Sequence, residues 1–172
     1  MLPTIHSRVI RIPDGSQVTH LQFRRFAGCP VCDLHLQSFV RRHHELASLV
    51  REVVVFHSST QELLRYASEL PFAIIADPEK KLYSAFGVES GARSLLSPGA
   101  WLPIVRAVAR SLRRTVGRRQ RMPPLNPAGG SLGLPADFLI APDGRIIASK
   151  YGLHAFDQWS VDEVIQFVAT CR

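Results

Sequence analysis

The feature that most constrains the fold is a continuous apolar run, Val53-Val54-Val55-Phe56, well inside the chain. Because the run has no polar alternation and is rich in β-branched side chains, it predicts a strand buried on both faces. A second run of this kind, Phe72–Ala76, follows a segment with helical periodicity. Strands of this type need helices on both sides, so the pattern indicates an α/β sheet with parallel strands.

The segments around these two runs give an alternating order of strands and helices. The predicted elements before residue 90 are a strand over 19–26, a helix over about 30–49, a helix capped by Ser59 or Thr60, and a short helix ending at Gly87. Near the end, Pro142-Asp143-Gly144 predicts the turn of a β-hairpin. Ser160, with Glu163 three residues later, predicts the cap of a last helix.

Composition favours one ordinary globular domain over residues 1–172. Apolar residues make up 46% of the chain and charged residues 20%, which is typical of globular proteins. No run of 18 apolar residues occurs, so no transmembrane helix is predicted. The first residues lack a basic segment followed by an apolar one, so we expect no secretory signal and a cytoplasmic location.

Residues 91–131 interrupt the alternating order and predict a basic helical insertion before the hairpin. Ile104, Val108, Leu112 and Val116 recur every four residues, as on one face of a helix. Residues 104–121 of this stretch hold seven arginines and no acidic residue, and removing those seven would cancel the net charge of +7. We interpret the charge as a solvated helix face. An apolar stripe of this kind also allows a homodimer, whereas nucleic acid and membrane receive little support as partners.

The strongest chemical signal is the CxxC formed by Cys29 and Cys32, which follows a predicted strand and opens a predicted helix. A helix N-terminus offers free N–H groups and a positive dipole end, which stabilise a thiolate. The spacing lets the second sulfur close a disulfide with the first, so both residues are candidate catalytic residues. The residue pattern also fits half of a zinc site or two inert buried thiols. Zinc needs four ligands and only Cys171 is left, so we predict no metal and no cofactor.

Three stretches of the chain resemble the alkyl hydroperoxide reductase/thiol-specific antioxidant family, a peroxiredoxin-like group with a thioredoxin fold. They are Phe26-Ala-Gly-Cys-Pro-Val-Cys32, Phe72-Ala-Ile-Ile-Ala-Asp-Pro78 with Tyr83-Ser-Ala-Phe-Gly-Val88, and Gly133-Leu-Pro-Ala-Asp-Phe-Leu-Ile-Ala-Pro-Asp-Gly-Arg145. The resemblance implies a thioredoxin-like three-layer α/β/α sandwich. It implies that Pro135 is a substrate-binding residue beside the CxxC, with a cis Leu134–Pro135 bond. It also implies a peroxide substrate, with a disulfide as the second choice, and a thioredoxin-like or glutathione-type reductant.

Two departures from the family pattern leave parts of the mechanism open. Aligned on Cys32, the motif P-x-x-x-T/S-x-x-C has Cys29 in its Thr/Ser position and Arg25 in its Pro position. In a thioredoxin-like site the attacking sulfur would be that of Cys29, and in a peroxiredoxin-like site that of Cys32. We favour Cys29, because the thiolate is usually stabilised most at the N-terminal Cys of a CxxC. Pro135 also stands at about the position where the family has a peroxide-binding arginine. A substitute arginine could come from Arg24, Arg25 or the insertion, and the sequence assigns none of them.

The sequence therefore predicts a thiol-dependent oxidoreductase that reduces peroxide while Cys29 and Cys32 cycle between dithiol and disulfide. Two alternatives stay open: a thiol-disulfide oxidoreductase without peroxidase activity, and a non-catalytic redox sensor or interaction module. Four polar residues at predicted strand ends are candidate proton-transfer groups, although each also fits an ordinary polar residue in that place. They are His57, Asp77, Asp137 and His154, of which Asp137 is the best candidate because it is near Pro135.

Overall fold

A computed structural model describes residues 1–88 and 133–170 and has a five-stranded mixed sheet at its centre. The strands are β1 (Leu2–Pro3), β2 (Val9–Ile10), β3 (Val18–Arg24), β4 (Val50–Phe56), β5 (Ala73–Ala76), β6 (Ala136–Ile140) and β7 (Ile146–Tyr151). The helices are α1 (Pro30–Arg41), α2 (His43–Leu46), α3 (Thr60–Tyr66), α4 (Lys81–Ala85) and, here called α5, Val161–Thr170. The sheet order is β5-β4-β3-β6-β7, and β1 pairs with β2 in a separate small sheet.

Strand β4 is buried on both faces, as its apolar run predicts. Val53, Val54 and Val55 are each 0% exposed. Val54 belongs to a core that also includes residues of α1, α3 and α5, whereas Val53 and Val55 pack in a second core with Tyr83 of α4. β3, β4 and β5 run parallel, and the C-terminal hairpin adds β6 and β7 antiparallel. The predicted α/β class is confirmed.

Three details differ from the sequence prediction or add to it. The helix predicted over 30–49 ends at Arg41, because Arg42 has non-helical dihedral angles and its guanidinium bonds Glu45 and Asp162. The chain then forms α2 before it enters β4. Ser59 caps α3 in a capping box. The small sheet of β1 and β2 was not predicted.

The predicted insertion, residues 91–131, lies outside the described residues, and so does Cys171. The domain boundaries 1–172 and the basic helix therefore stay predictions. No helix in the described part of the chain is long and apolar enough to cross a membrane.

Candidate active site

The CxxC lies where the chain turns from β3 into α1. Gly28 has φ 79°, a left-handed conformation that glycine adopts without steric cost. Cys29 follows as the residue that caps α1, with extended dihedral angles, and Pro30 takes the first helical position, where the missing N–H costs no hydrogen bond. The local sequence thus aims the free N–H groups of the first helical turn at the Cys29 sulfur.

The two thiols have opposite acidities. A hydrogen bond from the Cys32 thiol lowers the pKa of Cys29 to about 7, and the charge of Arg25 and the backbone N–H groups of Val31 and Cys32 add to this against the effect of burial. The same hydrogen bond, together with burial, raises the pKa of Cys32 well above its usual range. Both cysteines are free thiols. These opposite shifts favour Cys29 over Cys32 as the thiolate near neutral pH.

The thiols are enclosed by apolar side chains. Cys29 and Cys32 are 3% and 2% exposed. They pack in one small cluster with Phe26, Val31 and Ala155, against which Leu34 and Phe156 are also packed. Because apolar side chains surround the sulfurs, a substrate that reaches Cys29 enters a region with little water and a low dielectric constant. Nearby charges act strongly on it there.

The structure separates the two neighbouring arginines. Arg24 points to the sheet and forms an ion pair with Asp137, with Nη2 2.6 Å from Oδ1. Arg25 is buried at 5% exposure, its guanidinium carbon lies 5.6 Å from the centre of the Phe26 ring, and its charge acts on both cysteines. Of the two, Arg25 is the cation of the thiol site.

Pro135 comes directly before β6, and its carbonyl accepts a hydrogen bond of 2.9 Å from the Gly152 N–H. The expected cis bond at Leu134–Pro135 is wrong: in the described residues the cis peptide bond is Ile12–Pro13, so Leu134–Pro135 is trans. Trans is the lower-energy form of an X–Pro bond by about 0.5–1 kcal/mol. Gly152 lies so close that a Cβ there would be 2.8 Å from Pro135 Cγ. Substrate binding by Pro135 stays a prediction.

Three of the four strand-end candidates have structural partners. Asp77 accepts hydrogen bonds from the backbone N–H groups of Lys81 and Leu82, at 2.9 and 2.7 Å, and so caps α4. His154 accepts one from the N–H of Phe156. Asp137, the best candidate from the sequence, forms an ion pair with Arg24, and its role in proton transfer stays a prediction.

The fourth candidate, His57, follows β4 and is 1% exposed. Its ring packs edge-on against Tyr83, with centroids 5.7 Å apart, and its backbone N–H donates to the Arg25 carbonyl at 3.3 Å. Both ring nitrogens are buried and have no hydrogen-bond partner within the described residues. This state was not visible in the sequence, where His57 is one polar residue at a strand end.

Sequence analysis also missed a cluster of buried charges under α1. The charged cluster, as we call it, is made of His20, Gln22 and Arg24 of β3, Glu52 of β4 and Asp137 of β6. His20 Nδ1 lies 2.9 Å from Glu52, and His20 Nε2 lies 3.3 Å from Asp137. The Gln22 amide donates a hydrogen bond to Glu52 and accepts one from Arg24. The alternating polar residues of β3 were the only sequence signal for this cluster. The same alternation is typical of a strand with one face in solvent, so it did not identify buried charges.

Within the described residues, no group of three or more His, Cys, Asp or Glu side chains is arranged so that it could hold a metal ion.

Comparison with solved structures supports the fold. Peroxiredoxin Q of Xanthomonas campestris, as a mutant, aligns with a TM-score of 0.63 at 12% identity, covering 99% of this chain and 88% of that one. A mutant of peroxiredoxin 6 from Arenicola marina gives a TM-score of 0.68 at 15% identity, covering 99% and 68%. Peroxidoxin BcpB of Mycobacterium tuberculosis gives 0.59 at 15% identity, covering 98% and 88%. These similarities show the thioredoxin-like fold of the peroxiredoxins.

Comparison at the sequence level shows the family. No curated protein matches the chain significantly. A family model described as "AhpC/TSA antioxidant enzyme" matches residues 35–153. The match begins after Cys32, so it rests on the body of the domain rather than on the CxxC. The chain therefore belongs to the AhpC/TSA antioxidant enzyme family, the peroxiredoxin-like group of thiol-dependent enzymes that its sequence resembles.

Proposed function

We propose that the protein is a thiol peroxidase in which Cys29 attacks a hydroperoxide and Cys32 resolves the product as an intramolecular disulfide. The observation that carries the proposal is the placement of two adjacent, buried thiols at the N-terminus of α1, where the charge of Arg25 acts on both. Since its pKa is lowered to about 7, Cys29 forms a thiolate far more readily at neutral pH than an ordinary cysteine does. The thiolate is the form of cysteine that attacks peroxides.

The first step forms a bond between Cys29 Sγ and one peroxide oxygen while the O–O bond breaks. Cys29 becomes a sulfenic acid, and the second oxygen leaves as an alcohol or water after it takes up a proton. The positive charge of Arg25 lies where it stabilises both the thiolate and the oxygen on which negative charge develops. In this role Arg25 takes over from the arginine that the family places elsewhere.

The second step joins Cys32 to Cys29. The Cys32 sulfur attacks the sulfenic sulfur, the S–OH bond breaks, and the hydroxide leaves as water with the proton of the Cys32 thiol. The hydrogen bond between the two side chains already brings the reacting sulfurs together. An external dithiol of thioredoxin-like or glutathione type then supplies two electrons and returns both residues to thiols.

A thiol-disulfide oxidoreductase is the second candidate, because a CxxC of this acidity also exchanges with disulfides. The enclosure of Cys29 favours the smaller substrate. A thiol that is 3% exposed reaches a peroxide of two oxygens more easily than the disulfide of a folded protein. The rate of oxidation distinguishes the non-catalytic sensor from both enzymes, because a sensor does not need to be oxidised faster than free cysteine.

The test compares Cys29→Ser and Cys32→Ser with the parent protein, all carrying Cys171→Ser so that the C-terminal thiol adds no background. Reduced protein is mixed with hydrogen peroxide, and thiol loss and disulfide formation are followed. We expect fast oxidation of the parent, loss of the fast phase in Cys29→Ser, and in Cys32→Ser a fast step that stops at a sulfenic acid trapped by dimedone. Fast oxidation of Cys29→Ser would make Cys32 the attacking sulfur. A parent as slow as free cysteine would exclude hydrogen peroxide as substrate.

A further inference from the structure

His57 is a buried polar group without a visible structural reason. Both of its ring nitrogens are inaccessible to solvent and lack a partner within the described residues. Leaving a buried donor or acceptor unpaired costs about 1–3 kcal/mol. Folded proteins keep few such groups, and those they keep often serve a ligand or a reaction.

The imidazole is neutral at physiological pH. Burial, followed by the positive charges of Lys80 and Arg25, lowers the pKa of His57 to about 4. A neutral imidazole has one N–H donor and one nitrogen acceptor. A hydroperoxide is its complement, because the O–H donates and both oxygens accept. A disulfide has no O–H or N–H to donate.

The surroundings of His57 connect it to the thiol pair through Arg25. A Cβ placed on Gly133 would lie 3.1 Å from His57 Nε2 and 3.8 Å from Arg25 Cγ. The imidazole and the side chain of Arg25 therefore flank the same glycine, and any side chain at that residue would press against Nε2. The charge of Arg25 also acts on Cys29 and Cys32, so one guanidinium is shared by the imidazole and both thiols.

We propose that His57 is a substrate-binding residue of this site, whose Nε2 forms a hydrogen bond with the hydroperoxide that Cys29 attacks. This inference rests on the proposed peroxidase function and adds a selective contact to it. His57 holds the peroxide beside Arg25 and contributes nothing to the reaction of Cys29 with electrophiles that lack a hydroxyl group. The glycine at residue 133 leaves the space beside Nε2 free of a side chain.

The test separates peroxide from other electrophiles. His57→Leu removes both ring nitrogens, and His57→Gln restores a donor and an acceptor at about the reach of Nε2. For each variant the rate of Cys29 oxidation by hydrogen peroxide is compared with the rate of alkylation by iodoacetamide. We expect His57→Leu to slow peroxide oxidation about tenfold, the value of one hydrogen bond, with alkylation unchanged and with partial recovery in His57→Gln.

Gly133→Ala provides an independent variant that leaves the histidine in place. Its methyl group would lie 3.1 Å from Nε2, so we expect a selective loss of peroxide rate here also, even where His57→Leu disturbs folding. Equal slowing of both reactions, or no slowing of either, in the folded variants would overturn the role of His57. A parent protein that reacts with peroxide no faster than free cysteine would instead refute the peroxidase function, and the His57 contact with it.

Discussion

The charged cluster under α1 and the polar groups around the CxxC are buried to the same degree but are paired differently. In the charged cluster each charged side chain has an oppositely charged partner, as in the pairs of His20 with Glu52 and of Arg24 with Asp137. At the CxxC, the thiols of Cys29 and Cys32 are hydrogen-bonded to each other, and the ring nitrogens of His57 have no hydrogen-bond partner in the described residues.

This difference separates a structural role from a functional one. Buried charges that pair with one another fix how β3, β4 and β6 are held together, and removing one member leaves its partner unpaired. A buried group without a partner contributes little to folding and is available to a ligand. The following predictions test that division, beginning with the largest expected effect.

The largest effect is expected on stability, from Asp137→Ala. The substitution leaves Arg24 without its carboxylate, since Nη2 lies 2.6 Å from Asp137 Oδ1, and it removes the 3.3 Å contact of His20. We expect the free energy of unfolding in urea to fall by about 3–5 kcal/mol. Asp162→Ala is the control, because Asp162 pairs with Arg42 while its side chain is 81% exposed; this exposed pair contributes at most about 1 kcal/mol. Equal effects of the two would contradict a structural role for the charged cluster.

The next effect is expected on the acidity of Cys29, from Arg25→Met. The charge of Arg25 helps to lower the pKa of Cys29, and loss of a nearby opposite charge shifts a pKa by about 1 unit or more. Thiolate absorbance at 240 nm against pH should show a higher pKa in this variant. Arg41→Met, at the far end of α1, is the matched control and should leave the titration unchanged. An unchanged pKa in Arg25→Met would remove Arg25 from the thiol site.

Peroxide oxidation should follow the titration of Cys29 in the unaltered chain. Because the pKa of Cys29 is about 7, the rate should rise about tenfold per pH unit below pH 6 and level off above pH 8. Stopped-flow mixing over pH 5–9 measures this profile. A profile that keeps rising to pH 9 would assign the attack to a thiol with an ordinary or raised pKa, as expected for Cys32.

The two buried histidines should change stability in opposite directions with pH. Burial alone would lower the pKa of His20, but Glu52 and Asp137 outweigh it and raise the pKa to about 9. The stability that His20 contributes is therefore complete below pH 6.5 and is lost as the pH rises through 9. The pKa of His57 is lowered to about 4, so its contribution is complete above pH 6.5 and is lost as the pH falls through 4.

The smallest effect is expected from His57→Leu at neutral pH, where the free energy of unfolding should change by about 1 kcal/mol or less. The variant should lose part of the acid sensitivity of the parent between pH 4 and 6.5 and keep the alkaline decline. Urea unfolding at several pH values measures both. A large loss of stability at pH 7 would show that His57 has a structural role, like the members of the charged cluster.

Sequence reasoning recovered what depends on local patterns. The apolar run of β4, the start of α1 at the CxxC and the cap of α3 at Ser59 each follow from residues adjacent in the chain. The family resemblance reached the right fold for the same reason, since its motifs are short and contiguous.

Contacts between residues far apart in the chain could not be predicted from the sequence. His20, Glu52 and Asp137 are far apart in sequence and meet only because β3 lies between β4 and β6. The sequence also did not decide between Arg24 and Arg25, because that choice depends on which side chain faces the sheet. The cis bond expected at Leu134–Pro135 came from the resemblance alone and was wrong.

The most direct test of the account is the second-order rate constant for oxidation of Cys29 by hydrogen peroxide, measured with and without the Cys29 sulfur in a Cys171→Ser background. The account predicts a rate constant far above that of free cysteine in the parent and a value near that of free cysteine in Cys29→Ser. A parent value no higher than that of free cysteine, or a fast reaction that survives in Cys29→Ser, would contradict it.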